Sequence, residues 1–219
     1  AFSVLLAIGA ALLAAHVLHA LLGPHGAFID RVFADGVYTA VSLAGLIVCF
    51  AGARAHRRAR AAWLWLGCGI AAWFLGDLAW TLWLNFVEEP PYPSVADGLY
   101  LIGYPALYVG LVLLLRLKTG STRRSDWLVG LIAGLAVAAL GAALMFQPIL
   151  DATEGNAAAI AVNLAYPLGD LVLMAFVVAS FAATRWRPDR VWLLIGIALA
   201  VGAVGDAVGL VRRTIARRD

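Results

Sequence analysis

The sequence predicts an all-α membrane protein of seven transmembrane helices, on three observations. Of its 219 residues, 63% are hydrophobic and only 13% charged, with a mean hydropathy of +0.91; a typical globular domain has roughly 25% charged residues. The apolar residues gather in seven runs, each near the ~20 residues that cross a hydrocarbon core of ~30 Å. The breaks between runs alternate between basic and acidic, as connections on opposite sides of a membrane do.

The runs cover about residues 2–22, 32–53, 61–86, 96–117, 127–146, 157–183 and 191–211, each bounded by polar or Pro/Gly-rich breaks. The first is too long for a signal peptide and lacks the small-residue cleavage site, so it is expected to be a true span, with residues preceding Ala1. The break after the second run carries Arg54, His56, Arg57, Arg58 and Arg60. The break after the fourth carries Arg116, Lys118, Arg123 and Arg124, and that after the sixth Arg185, Arg187 and Arg190. These three are expected to face the cytoplasm, which places the N-terminus there too. Glu88, Glu89 and Asp97, then Asp151 and Glu154, mark the opposite side. Seven spans would leave Arg212, Arg213, Arg217 and Arg218 outside, against that rule, so an eighth helix is expected beyond the sequence. The spans fill residues 1–219 as one polytopic domain and leave no room for a soluble catalytic one.

The net charge of +3 and pI near 9.1 come from arginines clustered at helix ends. They orient the chain and do not indicate a nucleic-acid partner. Cys49 and Cys68 fall inside apolar runs, where both are expected to be buried as small hydrophobes, with no disulfide framework.

Parallel internal repeats are expected. Ala34-Asp35-Gly36-Val37-Tyr38 opens the second run and Ala96-Asp97-Gly98-Leu99-Tyr100 the fourth, with Arg54 and Arg116 each 19 positions after the aspartate. Trp63-Leu64, Gly67 and Gly76-Asp77 of the third run align without gaps to Trp192-Leu193, Gly196 and Gly205-Asp206 of the seventh. One unit covers about residues 33–117 and a partial second about 157–211.

An ionisable residue inside a span is a functional-site candidate by default. Asp77 and Asp206 sit at equivalent depths toward the acidic side, where they either bond to a neighbouring helix or line a polar pocket with Trp80, Trp83, Asp97, Tyr100 and Tyr104. Asp35, Asp97 and Asp170 are expected at helix starts, where a carboxylate caps free N–H groups. Pro105 is expected to kink the fourth helix or leave a carbonyl free. His16 and His19 lie one turn apart but have no matching ligands elsewhere, so no metal site is assigned. Most tryptophans lie near run ends, as an aromatic belt requires. Gly-rich phosphate loops, serine-nucleophile elbows and CxxC pairs are absent from the sequence, so no catalytic residue or cofactor is assigned.

Gly76-Asp77-Leu78-Ala79-Trp80, the series from Pro93 to Leu101 with Gly103-Tyr104-Pro105, and Tyr166-Pro167-Leu168-Gly169-Asp170 together resemble a known family region. It is the N-terminal multi-spanning membrane region of actinobacterial cyclic-di-GMP signalling proteins, which carry GGDEF and EAL domains. The resemblance spans roughly residues 33 to 211 and implies a sensory or anchoring input domain in the bacterial inner membrane. It also implies that a cytoplasmic diguanylate cyclase or phosphodiesterase domain can follow; the family's catalytic residues belong to such domains, so none is carried over. Two other functions fit the pattern: a small transporter or channel with a path past Asp77 and Asp206, and a non-catalytic subunit of a larger membrane complex. The expected partners are membrane lipids and a second copy of the chain or a larger membrane complex.

Overall fold

The computed structural model describes residues 36–118, 131–136, 138–143 and 157–183, with single positions at 11, 128, 186, 193 and 196. Among these the regular structure is helical and contains no strand. The labelled helices are α1 (Tyr38–Ala55), α2 (Arg60–Leu82), α3 (Val95–Lys118) and α4 (Ala157–Ala183), with tight 3-10 turns at Arg57–Ala59 and Leu84–Phe86. Among the described residues, three segments are long and apolar enough to cross a membrane: Arg57–Phe86, Val95–Leu117 and Ala157–Ala182. The described part of α1 and a helical stretch over Leu131–Ala143 are apolar but shorter. The third, fourth and sixth expected spans thus overlap α2, α3 and α4, the second and fifth overlap the two shorter helical stretches, and the first and seventh lie almost wholly outside the described residues.

The chain divides into two compact units, Ala1–Leu114 and Leu115–Asp219. In the first, α1 and α2 form an antiparallel hairpin. Cys49 meets Gly67, and the indole of Trp63 lies so close over Gly52 that a Cβ there would stand 2.7 Å from the ring. Helix α3 packs against the other side of α2, again antiparallel. Here Gly69 faces Gly103, and each would place a Cβ within about 3 Å of the other's carbonyl oxygen. Leu107 covers Gly69, Leu66 covers Gly110 and Tyr100 covers Gly76. In each helix the paired glycines stand seven residues apart, two turns on one face. Small residues of this kind let apolar helices approach closely when lipid supplies no hydrophobic drive between them.

The outward faces are as apolar as the inward ones. On α2, Trp65, Cys68, Leu75 and Leu82 form an exposed stripe at helical spacing, which suits lipid better than water. Cys68 therefore departs from the expected burial, whereas Cys49 is buried against Gly67. An apolar run does not say which side of a helix faces its neighbours, and Cys68 lies on the outward side.

Helix α2 ends at Leu82, earlier than the apolar run predicts. Trp83 leaves helical geometry, and the chain makes one 3-10 turn before Glu88, Glu89, Pro90 and Pro91, which suit an exposed extended connection. The helix α3 continues through Pro105, whose ring lies on an exposed face. In the second unit, α4 likewise runs through Pro167, so Asp170 stands midway along the helix and not at its start. The alanine-rich residues before Tyr166 favour helix well ahead of Asp170, so this aspartate caps no helix start. Leu171, Leu173, Val177 and Ser180 are among the buried residues of α4, and the Ser180 hydroxyl donates to the Phe176 carbonyl at 2.6 Å. Gly141 packs on Leu171.

Candidate functional site

Between residues 61 and 115 there is no lysine, arginine or histidine. A carboxylate there has no cationic partner within its own stretch of chain, and it must find other donors or remain unsolvated, which is costly away from water. Asp77 finds two. It is 3% exposed, and its Oδ2 accepts from the Ser42 hydroxyl of α1 at 2.6 Å, while its Oδ1 accepts from the Tyr100 hydroxyl of α3 at 2.9 Å. One side chain of α2 thus joins all three helices.

The residues around it explain how this geometry arises. Gly76, the preceding residue, leaves the Tyr100 ring free to lie directly on the backbone of α2; a Cβ there would stand 2.7 Å from the ring. The Gly-Asp pair is consequently one device, in which glycine admits the phenol and aspartate accepts its hydrogen bond. One turn earlier, the indole Nε1 of Trp73 donates to the backbone carbonyl of Tyr100 at 3.0 Å. Helices α2 and α3 therefore exchange bonds in both directions, with Tyr100 as acceptor through its backbone and donor through its side chain. That carbonyl precedes by one residue the Leu101 carbonyl, to which Pro105 has no N–H to donate. On the α1 side, Thr39 and Thr81 bring their hydroxyl oxygens to 3.4 Å, one turn from Ser42 and Asp77.

Of the expected site residues, Asp77 and Tyr100 are bonded directly. Trp80 is half-buried one turn beyond Asp77. Tyr104 is buried, with its ring edge-on to Trp73 at 5.5 Å and near Tyr108 at 6.2 Å. Asp97 serves the start of α3: its Oδ2 accepts from both the backbone N–H and the hydroxyl of Ser94 at 2.7 Å, and its own N–H donates to Ser94 Oγ at 3.4 Å. This is a reciprocal capping box, with serine at the cap and the acid three residues on. Asp35, Asp206, His16 and His19 lie outside the described residues.

Replacing Ser94 by alanine is expected to remove this box and destabilise the protein by about 1 kcal/mol. Thermal unfolding in detergent checks it, and Ser94→Thr should restore most of the loss.

Sequence reasoning missed Ser42, Trp73, Thr39 and Thr81. The available signal was weak: Thr39 and Ser42 share one face of α1, and Thr81 stands one turn beyond Asp77. Trp73 lies away from the run ends, where a belt tryptophan would be.

Chemically, the arrangement is a closed polar knot in an apolar surrounding. Among the described residues no buried side-chain nitrogen or oxygen lacks a hydrogen-bond partner, and no group of three or more His, Cys, Asp or Glu side chains comes together to hold a metal. No family model, curated protein or solved structure matches this chain.

Proposed function

We propose that this chain is the multi-spanning sensory or anchoring domain of a bacterial signalling protein of cyclic-di-GMP turnover, lodged in the inner membrane with its N-terminus in the cytoplasm. It has seven spans in parallel repeats, and an eighth leads to the output. The observation that carries the sensory reading is the buried Asp77 carboxylate, held by one hydroxyl from each neighbouring helix. A stimulus that competes for either hydroxyl, or that protonates the carboxylate, favours a different packing of three helices at once. Such differential interaction with two packings is what a switch requires. The Gly205-Asp206 pair repeats Gly76-Asp77 in sequence, which is why both aspartates enter the test.

A transporter needs a polar path on both sides of Asp77. From Asp77 toward the basic end, the contacts of α2 include Gly45 on Ile70, Leu107 on Gly69, Cys49 on Gly67, Leu66 on Gly110 and Trp63 on Gly52. These apolar contacts favour a sensor over a conduit. Of the glycines that would suit a subunit interface, Gly67, Gly69 and Gly76 are engaged by residues of α1 and α3 and Gly196 by Val177 and Phe181, while Gly202 and Gly205 lie outside the described residues.

The test is cyclic-di-GMP output in cells producing the full-length protein, with Asp77→Ala and Asp206→Ala combined and membrane abundance matched. A changed output supports the reading, and an unchanged one sinks it. Asp77-dependent solute flux in proteoliposomes would instead favour the transporter.

A further inference from the structure

The basic end of the first unit has a structure that orientation alone does not require. Arg54, His56, Arg57, Arg58 and Arg60 are all exposed, within seven consecutive positions. No carboxylate is available to them within the unit's described residues. Asp77 is 17 residues beyond Arg60, about 25 Å along α2, and Glu88, Glu89 and Asp97 lie past that.

The tip is also built to hold its shape. A single residue, His56, separates α1 from the 3-10 turn at Arg57–Ala59, which runs directly into α2. The His56 N–H donates to the Gly52 carbonyl at 2.9 Å, and the Ala59 N–H to the His56 carbonyl at 3.0 Å. The His56 ring stacks near the Trp63 indole, centroids 6.4 Å apart and planes 22° off parallel, while Trp63 is seated on Gly52. Topogenesis asks only for positive charge on this side. An arginine cluster with no carboxylate near it among the unit's described residues, one turn from a tryptophan, asks for external anions.

We infer that the α1–α2 tip is a docking surface for anionic phospholipid headgroups, bound by Arg54, Arg57, Arg58 and Arg60. Guanidinium groups bind phosphate oxygens two at a time, which suits this all-arginine cluster better than a diffuse lysine patch. The site makes the helix hairpin sensitive to the charge of its leaflet, because α1 and α2 both end in it. This inference rests on the membrane-spanning reading and not on signalling.

The experiment places the full-length protein in nanodiscs of phosphatidylcholine with a minor fraction of phosphatidylglycerol, and counts retained lipids by native mass spectrometry. Wild type and Arg57→Gln/Arg58→Gln are compared; Arg54 and Arg60 are kept as orientation signals. Labelling of Ala59→Cys by an impermeant maleimide in cells checks that both face the same side. At about fivefold per arginine, the double change should lower selectivity for phosphatidylglycerol on the order of 25-fold. The control pair Arg116→Gln/Lys118→Gln should leave it within about twofold. Equal selectivity in wild type and the tip variant overturns the inference, as does an equal loss in the control pair. Full displacement of the lipid by millimolar inorganic phosphate would show a free-anion site and overturn it too. Failure to insert into the nanodisc would defeat the membrane reading itself, whereas insertion without selectivity defeats only this one.

Discussion

Asp77→Ala is expected to destabilise the protein by roughly 2–4 kcal/mol, because it removes the carboxylate that ties Ser42 of α1 and Tyr100 of α3 to α2 and leaves a cavity in its place. At this chain length the thermal midpoint should fall by roughly 5–10 °C. Ser42→Ala and Tyr100→Phe should each cost less, since the carboxylate keeps one donor. The triple change Asp77→Leu, Ser42→Ala and Tyr100→Phe should be far milder than Asp77→Ala alone. Removing every member of a buried polar set abolishes the desolvation penalty together with the bonds. Thermal unfolding of the four variants in one detergent checks the order. If the triple variant unfolds as early as Asp77→Ala, the knot contributes packing and not polar coupling. If the triple variant is stable but silent in cyclic-di-GMP output, the knot serves signalling more than folding.

The parts of this structure that were legible in the sequence are those with a large transfer energy. The run at 157–183 is helical throughout as α4, because so long a mostly apolar stretch has few alternatives to a helix. Asp77 stood out because a carboxylate in such a run is expensive. Its donors did not, since a serine or an indole within a helix costs little and serves equally well as filler or belt. Only the register between α1, α2 and α3 distinguishes them, and register is set by pairs such as Gly69 with Gly103, distant in sequence. Cys68 and Asp170 went astray for related reasons. Hydropathy does not record which face of an apolar helix turns outward, and an aspartate in sequence resembles a helix cap whether or not helix precedes it.

That register yields the second large effect. Gly103→Ala is expected to destabilise the protein by roughly 1–3 kcal/mol, since its Cβ would stand 2.6 Å from the Trp73 ring and 3.0 Å from the Gly69 carbonyl oxygen, and a backbone cannot yield as a side-chain tip can. Gly98→Ala, in the same helix, is expected to be neutral or stabilising by up to about 1 kcal/mol, because nothing lies within 4 Å of its Cβ position and alanine is the better helix former. The same chemical change thus has opposite signs five residues apart, and side-by-side thermal unfolding reads the difference directly. The Gly103 effect should also reach Asp77. A displaced Trp73 loses the Tyr100 carbonyl, and a displaced Tyr100 carries its hydroxyl away from the carboxylate. Gly103→Ala and Asp77→Ala together should then destabilise by at least 0.5 kcal/mol less than their sum, the scale at which coupled neighbours depart from additivity. Strict additivity would mean that the close approach of α2 and α3 and the polar knot are independent, and that bending this interface cannot transmit a stimulus from Asp77.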